Sequence, residues 1–161
     1  DGLTGLLNHT AIKEELAREV VRSSRLNSPL SFALVDVDFF KKVNDAYGHA
    51  AGDRVIKSLA RLLKQRLRET DIVGRYGGEE FAVIMNDTDA TSAAKVIDEI
   101  RNVFSRLLHL SHDEEFSTNF SCGIADLTHF SDAASLSEAA DKALYQAKQR
   151  GRNKVVVNTG D

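Results

Sequence analysis

A predicted β-hairpin between helical segments most constrains how this chain can fold. Residues 71–85 read DIVGRYGGEEFAVIM, in which two apolar runs are joined through Gly77 and Gly78. Short apolar runs on either side of glycine are typical of two antiparallel strands and their turn. Strands joined through a helix add parallel neighbours to the same sheet. A chain with both kinds of connection therefore forms a mixed sheet with helices packed against it.

The rest of the chain alternates helical and strand patterns. The segment 8–26 has apolar residues at helical spacing, with Asn8 or Thr10 as its candidate N-cap. Gly48 is expected to end a short helix that follows an apolar strand. The predicted helices beyond the first are 39–48, 53–69, 89–108 and 136–151, and the strands outside the hairpin are 30–38, 115–127 and 154–158. This order indicates one α/β domain with a βαββαβ core.

Composition excludes several classes of protein. The 161 residues carry a formal net charge of −3, which is too acidic for sequence-independent binding to a nucleic-acid polymer. Cys122 is the single cysteine, so an intrachain disulfide is impossible and a reducing, cytoplasmic location is expected. No apolar run in the sequence approaches the roughly 18 residues of a membrane span. Because the chain begins at Asp1, we expect residues 1–161 to be one domain of a longer protein, with tethering to an upstream sensor or membrane region left open.

Four carboxylates are expected to gather at one edge of the sheet. Asp36 and Asp38 lie two residues apart at the end of a buried strand, so their side chains leave on the same face. Glu79 and Glu80 follow the hairpin glycines, and the hairpin tip can lie beside that strand end. Such crowding is costly without a counter-charge. Mg²⁺ bound by one or two carboxylates removes the cost and keeps positions for phosphate oxygens, and two such ions form a phosphoryl-transfer centre.

Each of these acids also has an ordinary structural interpretation. Asp38 could cap the helix that follows it, and the two glutamates could form a solvated turn. Either feature alone favours that interpretation. Their occurrence at ends of elements that the fold brings together favours the metal site instead.

Phosphate groups have candidate partners near these acids. The helix that opens at Phe39-Phe40-Lys41 presents free N–H groups, which form an anion site suited to a triphosphate. Lys148 and Arg152 could hold phosphate oxygens or could complement the dipole of the last helix. From the residues alone, both roles are open for this pair.

Five ordered sequence blocks carry a family likeness. The segment DVDFFKKVNDAYGHAAGD followed by GGEEF resembles the GGDEF-domain diguanylate cyclases, in the GGEEF form of their signature. The blocks DGLTGLLN, SCGIA and ADKALYQAKQRGRN extend the resemblance over essentially the whole chain. One departure is His9, where an arginine is usual in the family. This departure concerns coupling to an upstream helix rather than the chemistry.

The resemblance implies both a fold and a reaction. The fold would be palm-like and related to nucleotidyl cyclases and polymerases. The reaction would be the condensation of two GTP molecules into cyclic di-GMP, with release of two pyrophosphates. Two Mg²⁺ or Mn²⁺ ions per active site, a homodimer and an upstream regulatory domain are further implications. A catalytically silent module that binds GTP or cyclic di-GMP, and a nucleotidyltransferase that uses ATP, are the alternatives.

The resemblance also assigns roles to individual residues. It implies that the metal ligands are Asp36, the backbone carbonyl of Val37, Glu79 and Glu80, and that Glu79 and Lys41 are catalytic. Glu79 would accept the proton of the ribose 3′-hydroxyl. The implied substrate-binding residues are Phe39, Phe40, Lys41, Asn44, His49, Asp53, Gly77, Gly78, Lys148 and Arg152.

Guanine recognition can be argued from chemistry for part of this set. Guanine offers N1–H and N2–H donors that a carboxylate such as Asp53 accepts, whereas adenine lacks this donor pair. The amide of Asn44 can complement the remaining edge of the base. The structural alternatives are that Asp53 caps the long helix and that His49 is a packed or turn histidine.

The segment RETD, residues 68–71, resembles the product-binding inhibitory site of the family. Arg68 offers a planar fork for guanine or phosphate, and Asp71 accepts hydrogen bonds from guanine. A second arginine would complete such a site, and Arg101 is the candidate in this sequence.

Overall fold

The computed structural model describes residues 1–160 and contains five helices and seven strands within them. In chain order they are α1 (His9–Leu26), β1 (Leu30–Val37), α2 (Phe40–Tyr47), α3 (His49–Arg66), β2 (Ile72–Arg75), β3 (Glu80–Asn86), α4 (Ala90–Arg106), β4 (His109–Ser111), β5 (Glu114–Phe116), β6 (Phe120–Asp126), α5 (Ala133–Gln149) and β7 (Val155–Val157). Asn8 caps α1 by accepting a hydrogen bond from the Ala11 N–H, which selects one of the two predicted caps.

The main sheet confirms the predicted mixed topology. Its strand order is β2-β3-β1-β6-β7, in which only the β6–β7 pair is parallel. The hairpin of β2 and β3 occupies one side, and the βαβ crossover through α5 adds β7 on the other. Strand β1 is central and buried along its whole length, as its continuous apolar run predicts.

Helices cover both faces of this sheet because successive strand residues point to opposite sides. On one face, α1 and α5 pack against Phe32, Leu34 and Ile84. On the other face, α3 and α4 pack against Val35, Phe81 and Val83. None of the helices in residues 1–160 is long and apolar enough to cross a membrane.

Two sequence predictions about elements were wrong. A small separate hairpin, β4–β5, occupies residues 109–116, and the predicted strand 115–127 begins only at Phe120. The hairpin is short and half polar, so its strands lack a periodic signal. The long helix α3 begins at His49 rather than Asp53, directly after Gly48 with φ 90°.

The N-terminal segment is attached to the β2–β3 hairpin. Leu7 forms a parallel bridge with Gly74, and the Arg75 N–H donates to the Leu7 carbonyl at 2.8 Å. The Arg75 guanidinium lies 3.3 Å from the Asp1 carboxylate and also donates to the Gly78 carbonyl at 2.8 Å. One arginine therefore connects the start of the domain with the tip of the hairpin.

Candidate active site

Strand register places two carboxylates side by side. Asp36, at the end of β1, is directly opposite Glu80, at the start of β3. Directly opposed residues of antiparallel strands have Cβ atoms about 5 Å apart on the same face. Asp36 is buried, and its Oδ2 accepts a hydrogen bond from the Lys148 ammonium at 2.6 Å. The site therefore contains two adjacent carboxylates and a lysine ammonium that binds one of them.

The surroundings of Glu80 disfavour its charged form. Burial raises the pKa of Glu80, and the charge of Asp36 raises it further, while the Lys148 ammonium opposes both. Asp141 and Glu79 make smaller contributions that also raise this pKa. The sequence analysis missed Asp141, although it lies two turns before Lys148 on α5 and could have been found from that spacing.

Glu79 lies at the hairpin tip, one residue beyond the directly opposed pair. Its carbonyl accepts a hydrogen bond from the Val37 N–H at 3.1 Å, so its backbone lies beside the end of β1 as the sequence predicts. Three or more Asp, Glu, His or Cys side chains do not converge on a metal position anywhere in residues 1–160. The donor chemistry nevertheless fits Mg²⁺, which needs only one or two protein carboxylates, and Asp36 and Glu80 provide such a pair.

Asp38 has a different role from the helix cap considered above. The N-cap position of α2 is Phe39, and α2 has no side-chain cap. The Asp38 carboxylate turns inward instead and accepts hydrogen bonds from the Ser121 hydroxyl at 2.6 Å and the Asn153 N–H at 2.9 Å. Burial raises the pKa of Asp38, and these hydrogen bonds oppose that shift.

The uncapped N-terminus of α2 has cationic side chains around it. The Phe39 ring is 52% exposed, and both the Lys42 Nζ and the Arg152 guanidinium carbon lie 4.5 Å from its centroid. Lys41 is exposed in the first turn of the helix. The N–H groups of that turn and the nearby cations form a surface suited to an anion.

Asn44 presents an acceptor that lacks a partner. Its Oδ1 atom is buried and has no hydrogen-bond partner in residues 1–160. A Cβ placed on Gly52 would lie 1.9 Å from this atom and 3.1 Å from the Phe40 ring, so the glycine makes room for the amide. The sequence analysis did not single out Gly52, because only the packing of α2 against α3 gives it a role.

His49 and Asp53 are exposed in the first turns of α3. Asp53 is not the N-cap of α3, because the helix begins four residues earlier. The capping alternative for Asp53 was therefore wrong.

The hairpin glycines are exposed, and neither has a positive φ. A Cβ on Gly78 would meet nothing within 4 Å, and one on Gly77 would meet only the Glu80 side chain, at 3.4 Å or more. Folding therefore does not require a glycine at position 78, and the space beside the Cα atom of this residue is open.

Arg68 and Asp71 form a local pair at the end of α3. The Asp71 side chain is buried and accepts hydrogen bonds from the Arg68 backbone N–H at 3.0 Å and its guanidinium at 3.1 Å. The Arg68 side chain stays 55% exposed. Arg101 does not contact this pair, because its guanidinium binds Asp98 and the Asn153 side chain.

Comparison with known proteins agrees with this geometry. Residues 1–154 match the family model described as "Diguanylate cyclase, GGDEF domain". Diguanylate cyclase DgcP of Pseudomonas aeruginosa is 38% identical over 157 residues, which are 98% of this chain and 23% of DgcP. The chain thus spans under a quarter of that relative.

Solved structures show the same fold. The GGDEF domain of DgcB from Caulobacter crescentus, determined in complex with c-di-GMP, superposes with a TM-score of 0.93 at 35% identity and covers 98% of this chain and 92% of that one. The active GGEEF domain of a diguanylate cyclase from Vibrio cholerae gives a TM-score of 0.89 at 32% identity and covers 95% and 97%. The present chain therefore belongs to the GGDEF diguanylate cyclase domain family and has its palm-like cyclase fold.

Proposed function

We propose that this domain is a diguanylate cyclase that condenses two GTP molecules into cyclic di-GMP and releases two pyrophosphates. The observation that carries the proposal is the Asp36–Glu80 pair, which lies beside Lys148 at the tip of a glycine hairpin. Two relatives with the same fold, from Caulobacter crescentus and Vibrio cholerae, are a GGDEF domain in complex with c-di-GMP and a GGEEF domain of a diguanylate cyclase.

The directly opposed carboxylates of Asp36 and Glu80 support a divalent cation as part of the site, since burial and the charge of Asp36 both raise the pKa of Glu80. Asp36, the Val37 carbonyl, Glu79 and Glu80 would hold Mg²⁺ or Mn²⁺, two ions per active site. When bound, the ions would supply charge stabilisation at the ribose 3′-hydroxyl and at the phosphate under attack.

The protein's own groups hold the triphosphate and move a proton. The N–H groups at Phe39 and Phe40 and the side chains of Lys148 and Arg152 bind phosphate oxygens. Lys148 exchanges its bond with Asp36 for a bond with phosphate as the nucleotide enters. Glu79 accepts the proton of the 3′-hydroxyl. Lys41 stabilises the charge on the departing pyrophosphate.

Base selection rests on side chains of α2 and α3. Asn44 and Asp53 complement the edge of guanine, and the unsatisfied Asn44 Oδ1 is an acceptor for one of its N–H donors. His49, at the start of α3, is a further substrate contact. Gly77 and Gly78 let the hairpin backbone approach the nucleotide, which the open space at Gly78 supports.

The reaction needs two domains, because one domain holds one GTP and each 3′-hydroxyl attacks the other nucleotide. A homodimer is therefore the catalytic unit. A regulatory domain elsewhere in a longer protein would control its assembly. A cytoplasmic location for this domain fits the buried free thiol of Cys122.

The function is tested by incubation with GTP and Mg²⁺ and chromatography for cyclic di-GMP. We expect product from GTP and none from ATP. Glu79→Gln should abolish product while thermal unfolding stays within a few degrees of the wild type. Tight GTP binding without product would instead indicate a silent binding module. Equal turnover of ATP would indicate a different nucleotidyltransferase.

Product inhibition through Arg68 and Asp71 is a separate part of the proposal. The exposed Arg68 guanidinium can leave Asp71 to bind cyclic di-GMP. Arg68→Ala should therefore raise the inhibition constant of added cyclic di-GMP by about tenfold or more, since a charge-assisted hydrogen bond is lost. The initial rate without product should not change. Arg66→Ala, which removes an exposed arginine two residues earlier at the end of α3, is the matched control. Unaltered inhibition in the Arg68 variant would contradict this part.

A further inference from the structure

The segment after α5 has an unusual backbone. Gly151, Arg152 and Asn153 have φ angles of 110°, 64° and 49°, so three successive residues are left-handed. Glycine and asparagine tolerate this region, but an ordinary residue such as arginine adopts it only where surrounding contacts hold it there. The contacts of this segment therefore indicate what fixes Arg152.

A single buried carboxylate provides the central contact. Asp38 is 2% exposed, and its Oδ2 accepts a hydrogen bond from the Asn153 N–H at 2.9 Å. Its Oδ1 accepts from the Ser121 hydroxyl at 2.6 Å, which anchors the carboxylate on β6. On the other side of the segment, the Arg152 N–H donates to the Ala147 carbonyl at 2.9 Å and ends the helix.

The Asp38 carboxylate also helps to position the Arg152 side chain. The Arg152 Nη1 lies 3.9 Å from the Asp38 Oδ1, which is an ion pair but is too long for a hydrogen bond. The guanidinium also lies over the Phe39 ring, whose residue directly follows Asp38 in the chain. Arg152 thus lies beside the N-terminus of α2, and within residues 1–160 its guanidinium donates no hydrogen bond, so its donors can reach another acceptor.

We propose that Asp38 is a positioning residue, which fixes the left-handed segment 151–153 so that the Arg152 guanidinium stands ready for a nucleotide phosphate. The identity of the anion rests on the proposed function. Asp38 itself does not touch the nucleotide. Its effect on the site passes through the Asn153 N–H and the place of Arg152.

A double-mutant cycle tests this coupling with the α,β-methylene analogue of GTP and Mg²⁺, which binds without turnover. Arg152→Ala should weaken analogue binding by about tenfold, as expected for loss of a charge-assisted contact. Asp38→Ala should weaken it similarly. The double variant should also be about tenfold weaker, because the second change removes nothing further. A loss near a hundredfold in the double variant would show independent effects and overturn the proposal.

A second measurement does not depend on nucleotide. Hydrogen exchange at the Asn153 amide should be slow in the wild type, fast in Asp38→Ala and slow again in Asp38→Asn, whose amide oxygen can still accept the bond. Analogue affinity should recover in parallel in Asp38→Asn. If Asp38→Ala does not fold, Asp38→Asn and Ser121→Ala supply the comparison, and the Ser121 variant should keep most of the protection at Asn153.

The outcomes separate the two proposals. Wild-type protein that fails to bind the analogue would overturn the proposed function and this inference together. Wild-type protein that binds the analogue, but with an Asn153 amide that exchanges equally fast in the wild type and in Asp38→Ala, would overturn the inference alone.

Discussion

Single residues decide the charge balance of the candidate site. Strand register places Asp36 opposite Glu80, and the Lys148 ammonium donates a hydrogen bond to Asp36. Because burial weakens the screening by water, the repulsion between the two carboxylates is stronger here than on an exposed surface. Carboxylates at the strand ends and cations beside the N-terminus of α2 fit the metal-bound triphosphate that we propose as the ligand.

At the same scale, Gly78→Ala should separate function from folding. Its Cβ would meet nothing within 4 Å and its φ is not positive, so the melting temperature should change by no more than about 2 °C. Cyclic di-GMP synthesis should fall by about tenfold or more, because the methyl group would occupy the space proposed for the nucleotide. Thermal unfolding and initial rates measure the two effects.

Gly74→Ala is the matched control on the same hairpin. Its Cβ would lie 2.7 Å from the Ile12 Cβ, so this variant should be less stable by about 1–3 kcal/mol. Full activity in Gly78→Ala would contradict the proposed approach of the nucleotide to the hairpin backbone.

Among the elements, α5 packs unusually close to β6. A Cβ on Gly123 would lie 2.1 Å from the Leu144 N and 2.2 Å from the Ala140 carbonyl oxygen, so backbone would have to move. Gly123→Ala should therefore cost about 3 kcal/mol, or roughly 6–12 °C in melting temperature. Gly2→Ala, where a Cβ meets nothing within 4 Å, is the control and should melt as the wild type does.

The β4–β5 hairpin carries a buried histidine that should make stability depend on pH. Burial lowers the pKa of His109, and the charge of Arg54 lowers it further. Below the ordinary value of about 6.5, the unfolded chain binds a proton that the folded chain does not, so the free energy of unfolding falls as pH falls.

His109→Leu should remove this dependence and the unsatisfied Nε2 atom. When the pH is lowered from 8 to 5, the free energy of unfolding should fall less in the variant than in the wild type, as measured by denaturant unfolding at both pH values. His112→Asn, which removes an exposed imidazole from the same hairpin, should follow the wild type. Parallel pH curves for His109→Leu and wild type would contradict the assignment.

For the whole molecule, half of the proposed reaction centre must come from a second copy. Turnover per domain should therefore fall on dilution, by up to about tenfold for each tenfold dilution below the dimer dissociation constant. Initial rates and sedimentation over the same concentration range measure this. Turnover that stays constant where sedimentation shows only monomers would contradict a catalytic dimer.

The hairpin could be predicted because its signals are local. Two apolar runs and two glycines specify β2, β3 and their turn without reference to any distant residue. The nearness of Asp36 to the hairpin acids could be predicted for the same reason, since each lies at the end of an element that the sequence identifies. The predicted gathering of all four acids was wrong, because Asp38 turns inward to Ser121 and Asn153 and no three acids converge in residues 1–160. Strands β4 and β5 could not, because three-residue strands are too short to show a period.

The sequence by itself determined the mixed sheet, the helices on its faces and the acids at the ends of β1 and of the hairpin, because periodicity and turn residues act over a few neighbours. Only the tertiary structure decided that Glu80 rather than Glu79 opposes Asp36, that Lys148 binds this aspartate and that Asp38 reaches Asn153, 115 residues away. These choices depend on register and on helix placement, which long-range packing selects and no local pattern encodes.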